Sequence, residues 1–292
     1  IFCLYISYSV VKYRKMASLA EQIDRILHGE ELQIMEHCCE GEFAVLATSI
    51  DKMVQRMLEQ QSILQKEKVF LADSMADISH QMKTPLTSIF LLLNLLQEEH
   101  LSEKKRLQYV QDLMKLTGRI DWMVYTLLRL AKLDAGTVQL QQVPYQIEDL
   151  IKAAVTPLEI ALDIRDITLE VQMQPDLQHR GDISWMTEAV SNILKNCMEH
   201  TPSGGHIRIV TKDNPLYLLI KITDSGSGFT KQDLPHIFER FYRGQNADTD
   251  SVGIGLALAK RIIIAQNGTI RAYNHKKDGG AVFEIRMYKG AA

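Results

Sequence analysis

One histidine stands in a helix-forming run that also holds a proline: Ser79-His80-Gln81-Met82-Lys83-Thr84-Pro85-Leu86. A helical histidine is ordinarily structural or solvated. Here His80 follows the apolar position Ile78 by two residues, which turns it away from a bundle axis toward solvent. One imidazole nitrogen is unprotonated near neutral pH, so an exposed His80 is a candidate nucleophile. Pro85 removes a backbone donor inside the helical pattern and predicts a bend just past the histidine, opening room for a docking domain.

A second group of chemically capable residues lies more than a hundred positions on. Asn192 and Asn196, in Asn-Ile-Leu-Lys-Asn, share one helix face. Asp224-Ser225-Gly226-Ser227-Gly228 follows a β-type run, and Gly253-Ile254-Gly255-Leu256-Ala257-Leu258 opens a helical one. Glycines before a helix let backbone N–H groups approach phosphate, and the helix N-terminus favours negative charge. An asparagine amide oxygen is a ligand type that Mg²⁺ accepts. A carboxylate such as Asp224 accepts a hydrogen bond from the adenine amino group, where guanine presents a carbonyl. Each glycine pair alone also reads as a plain turn; all the pieces in this order are far more specific.

Two kinds of element must position these groups. From residue 16 to about 135 the chain has one proline, Pro85, and is rich in Leu, Met, Gln, Glu and Lys, which favours helix. Ile50, Met57, Leu64, Leu71 and Ile78 recur every seventh position, a coiled-coil seam that one helix cannot bury alone. A parallel dimer is the simplest solution. After a break at Glu98, Glu99, His100 and Ser102, the spacing resumes with Leu113, Ile120 and Leu127, flanked by Leu116, Met123 and Leu130. The pattern predicts a helical hairpin ending at Ala135-Gly136, and two hairpins would make a four-helix bundle. Beyond Gly136, β-type runs at 167–171, 206–210, 217–223, 269–273 and 281–287 mix with helical runs at 147–161, 183–199, 234–238 and 255–266. That mixture predicts an α/β sandwich with helices on one sheet face.

Composition excludes little else. The 292 residues are 46% hydrophobic and 24% charged, with a net charge of -3, ordinary for globular protein of about two domains. Nothing in that balance points to nucleic acid. Residues 1–11 are apolar or aromatic except for Ser7 and Ser9, and are followed by Lys12, Tyr13, Arg14 and Lys15. The run is short of the roughly 20 residues of a membrane span. It reads either as the inner end of a transmembrane helix with positive charges on the cytoplasmic side or as a buried element end. Cys3, Cys38, Cys39 and Cys197 form no CxxC pair and no zinc-ligand cluster with histidine, as expected of a reducing compartment.

His80 with Thr84-Pro85-Leu86, the Asn192/Asn196 pair, DSGSGF, FERFYRG and GIGLAL resemble, in order, the H, N, first glycine, F and second glycine boxes of bacterial sensor histidine kinases. The resemblance covers about residues 67–290. It implies a dimeric helical-hairpin domain bearing the phosphoacceptor, followed by a Bergerat-type ATP-binding domain; no GxxxxGK[ST] run is present. By position it makes His80 the phosphoacceptor, Asn196 the Mg²⁺ ligand and Asp224 the adenine contact, with Asn192 supporting the metal or phosphate site. It puts Gly226 and Gly228 on the adenine side and Gly253, Gly255 and Leu256 on the phosphate side. Residues 229–252 would be an ATP lid, its polar stretch 245–251 suited to a flexible loop. Arg240 and Arg243 of the F box read either as neutralisers of phosphate or as surface residues. Thr84 falls at the position linked in this family with phosphatase action.

Two residues depart from the family pattern. Gln81 replaces the acidic residue that often follows the histidine, so Asp77, one turn earlier, is a candidate substitute carboxylate. Glu199 stands where many relatives carry Lys. The implied organisation is a membrane-helix end and basic stub (1–15), a linker resembling the HAMP relay module (16–66), a dimerisation and phosphotransfer domain (67–136) and an ATP-binding domain (137–292). The implied setting is the cytoplasmic side of a bacterial membrane, with a response regulator receiver domain as partner. The rival readings are a degenerate docking protein and an enzyme acting mainly as a phosphatase.

Overall fold

The computed structural model describes residues 2–27, 42–98, 100–244, 252–275 and 279–289. The chain divides into two compact units, Ile1–Met75 and Ala76–Ala292.

The first unit holds helix α1 (Phe2–Leu27) and the first part of α2 (Glu42–Leu96). The irregular stretch expected at 28–41, with Cys38 and Cys39, lies outside the described residues. Of the seam, Met57 and Leu64 are exposed on the single chain, and Ile50 and Ile78 are half-buried. Among the described residues no helix is long and apolar enough to cross a membrane.

The second unit begins with the hairpin. α2 continues helically through Pro85, and α3 (Glu103–Asp134) returns after a short turn. Pro85 cannot donate to the Gln81 carbonyl. Side-chain hydroxyls engage the backbone around it: Thr87 donates to the Lys83 carbonyl at 2.9 Å and Ser88 to that of Thr84 at 3.2 Å. In α3 the second seam turns inward, with Met123, Leu130 and Leu133 buried. These three belong to one continuous apolar cluster with the domain that follows.

That domain is a two-layer sandwich. Five strands, β2 (Thr168–Gln172), β4 (His206–Asp213), β5 (Tyr217–Asp224), β6 (Gly268–Asn274) and β7 (Ala281–Tyr288), form a sheet of order β2-β4-β5-β7-β6. β2 and β4 are parallel and the other pairs antiparallel, with Ile209 opposite Ile222 and Ile220 opposite Ile285. Alternation along the strands sends Ile207, Ile209, Leu218, Ile220, Ile222, Phe283 and Ile285 to one buried face. Helices α4 (Ile147–Val155), α6 (Ile183–His200) and α7 (Gly255–Ala265) supply the other half of this core.

Three differences from the sequence expectation have local causes. The helical run 147–161 is split into α4, a 3₁₀ turn Thr156–Leu158 and α5 (Glu159–Ile164), because Pro157 has no N–H to continue the ladder. The segment 234–238 forms turns instead of a helix, with Pro235 inside it. A small antiparallel pair, β1 (Val143–Gln146) with β3 (Gln178–Gly181), was not foreseen: each strand has four residues and β1 contains a proline.

Candidate nucleotide site

α6 places the first wall. Its N-cap is Asp182, whose carboxylate accepts from the N–H groups of Ser184 and Trp185 at 3.1 and 3.3 Å. Its apolar stripe, including Ala189, Val190, Ile193 and Leu194, is buried on the sheet. The opposite stripe of Asn192, Lys195, Asn196 and Glu199 is thereby turned toward a cavity of about 790 Å³. The Asn192 amide donates to the Glu188 carbonyl at 2.8 Å, which fixes the side-chain orientation. A Cβ on Gly255 would stand 2.9 Å from the Asn192 amide oxygen, so the N-terminus of α7 packs directly on this asparagine.

The floor is the end of β5. Asp224 is 3% exposed, and its Oδ1 accepts from the N–H groups of Gly226 at 2.9 Å and Ala281 at 3.0 Å. That double anchorage holds the carboxylate rigidly where a nucleobase can meet it. The Cys197 thiol of α6 is hydrogen-bonded to the same carboxylate; burial first, and then the Asp224 charge, push its pKa well up. Gly280 permits the close approach of strands here, since a Cβ on it would lie 1.8 Å from the Asp224 carbonyl oxygen.

The roof follows β5. Phe229 packs edge-on to Phe283, ring centroids 5.6 Å apart, and its backbone is clasped by the Asn274 amide at 2.8 and 2.7 Å. The Tyr242 hydroxyl donates to Asp233 at 2.7 Å, a bond that, before burial, raises the phenol pKa. Gly253 has φ +75°, and a Cβ there would sit 2.4 Å from the Tyr242 carbonyl oxygen, so the loop needs glycine at this point. The polar stretch 245–251 lies outside the described residues.

Most of the residues singled out in the sequence converge here. Asn192, Asn196, Asp224, Gly228, Arg243, Gly253, Gly255 and Leu256 all line the cavity, and Gly226 holds its floor. Arg240 is not among the lining residues: its guanidinium binds Asp134 at the end of α3, beside Arg261. His80, Thr84 and Asp77 do not line it either. All three are exposed on α2, and the Thr84 hydroxyl contacts the His80 carbonyl at 3.4 Å. The structure also adds residues the sequence reading passed over, namely Lys195, Asp233, Tyr242, and Lys115, Arg119 and Trp122 from α3. Only the Gly279-Gly280 pair before β7 carried a readable signal for the missed floor contact.

The donor set suits Mg²⁺ with nucleotide. Asparagine amide oxygens and the Glu199 carboxylate are hard oxygen ligands. Among the described residues no three His, Cys, Asp or Glu gather to hold a metal by themselves. An ion at Asn196 would therefore draw further ligands from phosphate oxygens, as Mg²⁺ sites commonly do.

Fold and site define a class: a helical hairpin carrying an exposed histidine, joined to an α/β nucleotide-binding sandwich with glycine-rich walls. Comparison with known proteins makes this specific. Residues 71–136 match the His Kinase A (phospho-acceptor) domain, and residues 181–290 match the histidine kinase-, DNA gyrase B- and HSP90-like ATPase. The chain belongs to the two-component sensor histidine kinases. It is 27% identical over 283 residues to the heme sensor protein HssS of Staphylococcus saprophyticus, covering 97% of this chain and 59% of that one. It is 32% identical over 225 residues to the sensor protein SphS of Synechococcus elongatus, covering 73% of this chain and 53% of that one. The chain thus spans a little over half the length of these curated relatives. The fold is shared with the Acinetobacter baumannii histidine kinase AdeS at a TM-score of 0.62 and 18% identity, over 73% of this chain and 98% of that one. It is also shared with the histidine kinase ThkA, solved with the response regulator protein TrrA, at a TM-score of 0.64 and 18% identity, over 80% of this chain and 66% of that one.

Proposed function

We propose that this chain is the signalling part of a membrane-anchored sensor histidine kinase that phosphorylates its own His80 from ATP. The observation that carries the reading is the pairing of an exposed hairpin histidine with a cavity whose floor is the doubly anchored Asp224 and whose walls are Asn196 and the α7 N-terminus. Asp224 accepts from the adenine amino group. The N–H groups at the start of α7 and the amide stripe of α6 hold the phosphates. Asn196 would hold Mg²⁺, which would supply charge neutralisation at the phosphates. A ring nitrogen of His80 attacks the γ-phosphorus in line: a P–N bond forms, the P–O bond to ADP breaks, and catalysis is chiefly positioning and charge neutralisation. Because His80 stands outside the cavity, the ATP-binding domain must move along the hairpin before transfer. Asp77 orients or deprotonates the imidazole in place of the acidic residue that Gln81 replaces.

The phosphoryl group then passes to an aspartate of a response regulator receiver domain, to which the labile P–N bond is a ready donor. The fold shared with ThkA, which was solved with such a regulator, supports this partner. Thr84, one turn from His80, positions water for the reverse action on the phosphorylated regulator. The heptad spacing of α2, with Met57 and Leu64 exposed, supports a homodimer through the hairpin. The apolar run and basic stub at 1–15 favour a setting on the cytoplasmic side of a bacterial membrane, with residues 16–66 relaying the signal as a HAMP-like linker.

Incubation with γ-labelled Mg·ATP tests the reading. Acid-labile, alkali-stable label that disappears in His80→Gln and Asn196→Ala supports it. Label that persists in His80→Gln overturns the phosphoacceptor, and ATP binding without any label favours a docking or phosphatase protein.

A further inference from the structure

The cavity is not walled by the ATP-binding domain alone. Asp112, Lys115, Arg119 and Trp122 of α3 also line it. Their spacing places them on one helix face, directed at the Asn192, Lys195, Asn196 and Glu199 stripe of α6. The Lys195 ammonium lies over the Trp122 ring, 4.9 Å from its centroid, and joins the two stripes. Among the described lining residues the lysines and arginines are Lys115, Arg119, Lys195 and Arg243, and the first two come from the hairpin. Lys115 meets Asp112 only at 4.0 Å, with 79% of its side chain exposed, so little free energy holds its ammonium in that pair. Glu199 adds negative charge to the α6 side. A polyphosphate entering this cavity therefore draws part of its charge neutralisation from α3.

We propose that Lys115 and Arg119 bind the phosphates of the nucleotide, so that in this arrangement the nucleotide bridges α3 and α6 and fastens the ATP-binding domain to the hairpin with His80 outside the cavity. The inference rests on the reading of the cavity as the ATP site. It makes bound nucleotide a ligand of the resting arrangement as well as the substrate of the transferring one. Hydrogen bonds from cations to phosphate are the stronger kind, and they weaken as salt screens them.

The test is calorimetric titration of the whole chain with the non-hydrolysable ATP analogue AMPPNP in Mg²⁺, and separately with adenosine. In Lys115→Ala/Arg119→Ala we expect AMPPNP affinity to fall about tenfold, the difference shrinking at high salt, with adenosine affinity unchanged. The charge-preserving Lys115→Arg/Arg119→Lys should recover most of the loss. AMPPNP binding equal to the parent's in the alanine double variant overturns the inference and leaves the cavity reading standing. An equal loss for adenosine also overturns it, since the effect would then be structural. Absence of AMPPNP binding in the parent overturns the cavity reading itself, and this inference with it.

Discussion

Asp134, the last residue of α3, and Arg261 of α7 form an ion pair at 2.7 Å. The second carboxylate oxygen of Asp134 accepts from Arg240, which follows β5. One hairpin carboxylate thus gathers two guanidinium groups of the ATP-binding domain. Farther up the helix, Arg129 pairs with Glu188 and lies 4.2 Å from the centroid of the Trp185 ring. These contacts fasten the domain to α3, away from His80 on α2.

Asp134→Ala should therefore loosen the docked arrangement. The groups are partly exposed, with side-chain exposures of 29% for Asp134 and 24% and 42% for its two arginine partners, so the contribution is about 0.5–1 kcal/mol. We expect the rate of His80 phosphorylation to rise about two- to fivefold, measured as initial label incorporation at saturating ATP. A rate that falls instead would mean that the contact belongs to the transferring arrangement.

Asp224→Asn and Asp224→Ala should separate recognition from stability. Asparagine can still accept from the Gly226 and Ala281 N–H groups, so folding should persist while ATP affinity drops at least about tenfold, as read by nucleotide titration. Alanine leaves the buried Ala281 donor and the part-buried Gly226 donor without this acceptor and should cost about 1–3 kcal/mol in urea unfolding as well. If both variants bind ATP like the parent, Asp224 is not the adenine contact.

The seam and the glycine boxes were legible because each rests on a local rule: a seven-residue repeat, or glycine where backbone must come close. Met123 and Leu130 fell inside the core as their spacing predicts. The strands that alternate buried and exposed residues were placed to within a few positions, as with the run 217–223 against Tyr217–Asp224. What stayed hidden depends on tertiary proximity. Nothing local in Arg240 distinguishes a phosphate ligand from a partner of Asp134, over a hundred positions away. Nor does the α3 sequence announce that Lys115 and Arg119 face a cavity most of whose other lining residues lie beyond Asn192. The β1–β3 pair escaped because four-residue strands offer too short a pattern to read.

Gly253→Ala should disable the roof without unfolding the sheet. The residue is at φ +75°, and the added Cβ would meet the Tyr242 carbonyl oxygen at 2.4 Å. Strain of about 1–3 kcal/mol is local to the loop that joins Phe241 and Tyr242 to α7. ATP affinity should fall about tenfold or more, while the circular dichroism spectrum stays near that of the parent and the urea midpoint drops by no more than this strain accounts for. Unchanged affinity would show that the loop can rearrange and that the glycine is not required for nucleotide.

His179 predicts how stability depends on pH. It is 8% exposed on β3, edge-on to Tyr145 with ring centroids 6.0 Å apart. Burial first, and then the Lys289 charge, lower its pKa from the ordinary value of 6.5. The unfolded chain therefore takes up a proton at a pH where the folded chain does not. The contribution of a neutral His179 is fully present above the unfolded pKa and is lost as pH falls from about 6.5 through the lower folded value. The urea midpoint of the parent should drop between pH 7.5 and 5, and His179→Gln, which cannot titrate, should flatten that part of the profile. A slope identical in the two proteins would assign the acid sensitivity to other groups.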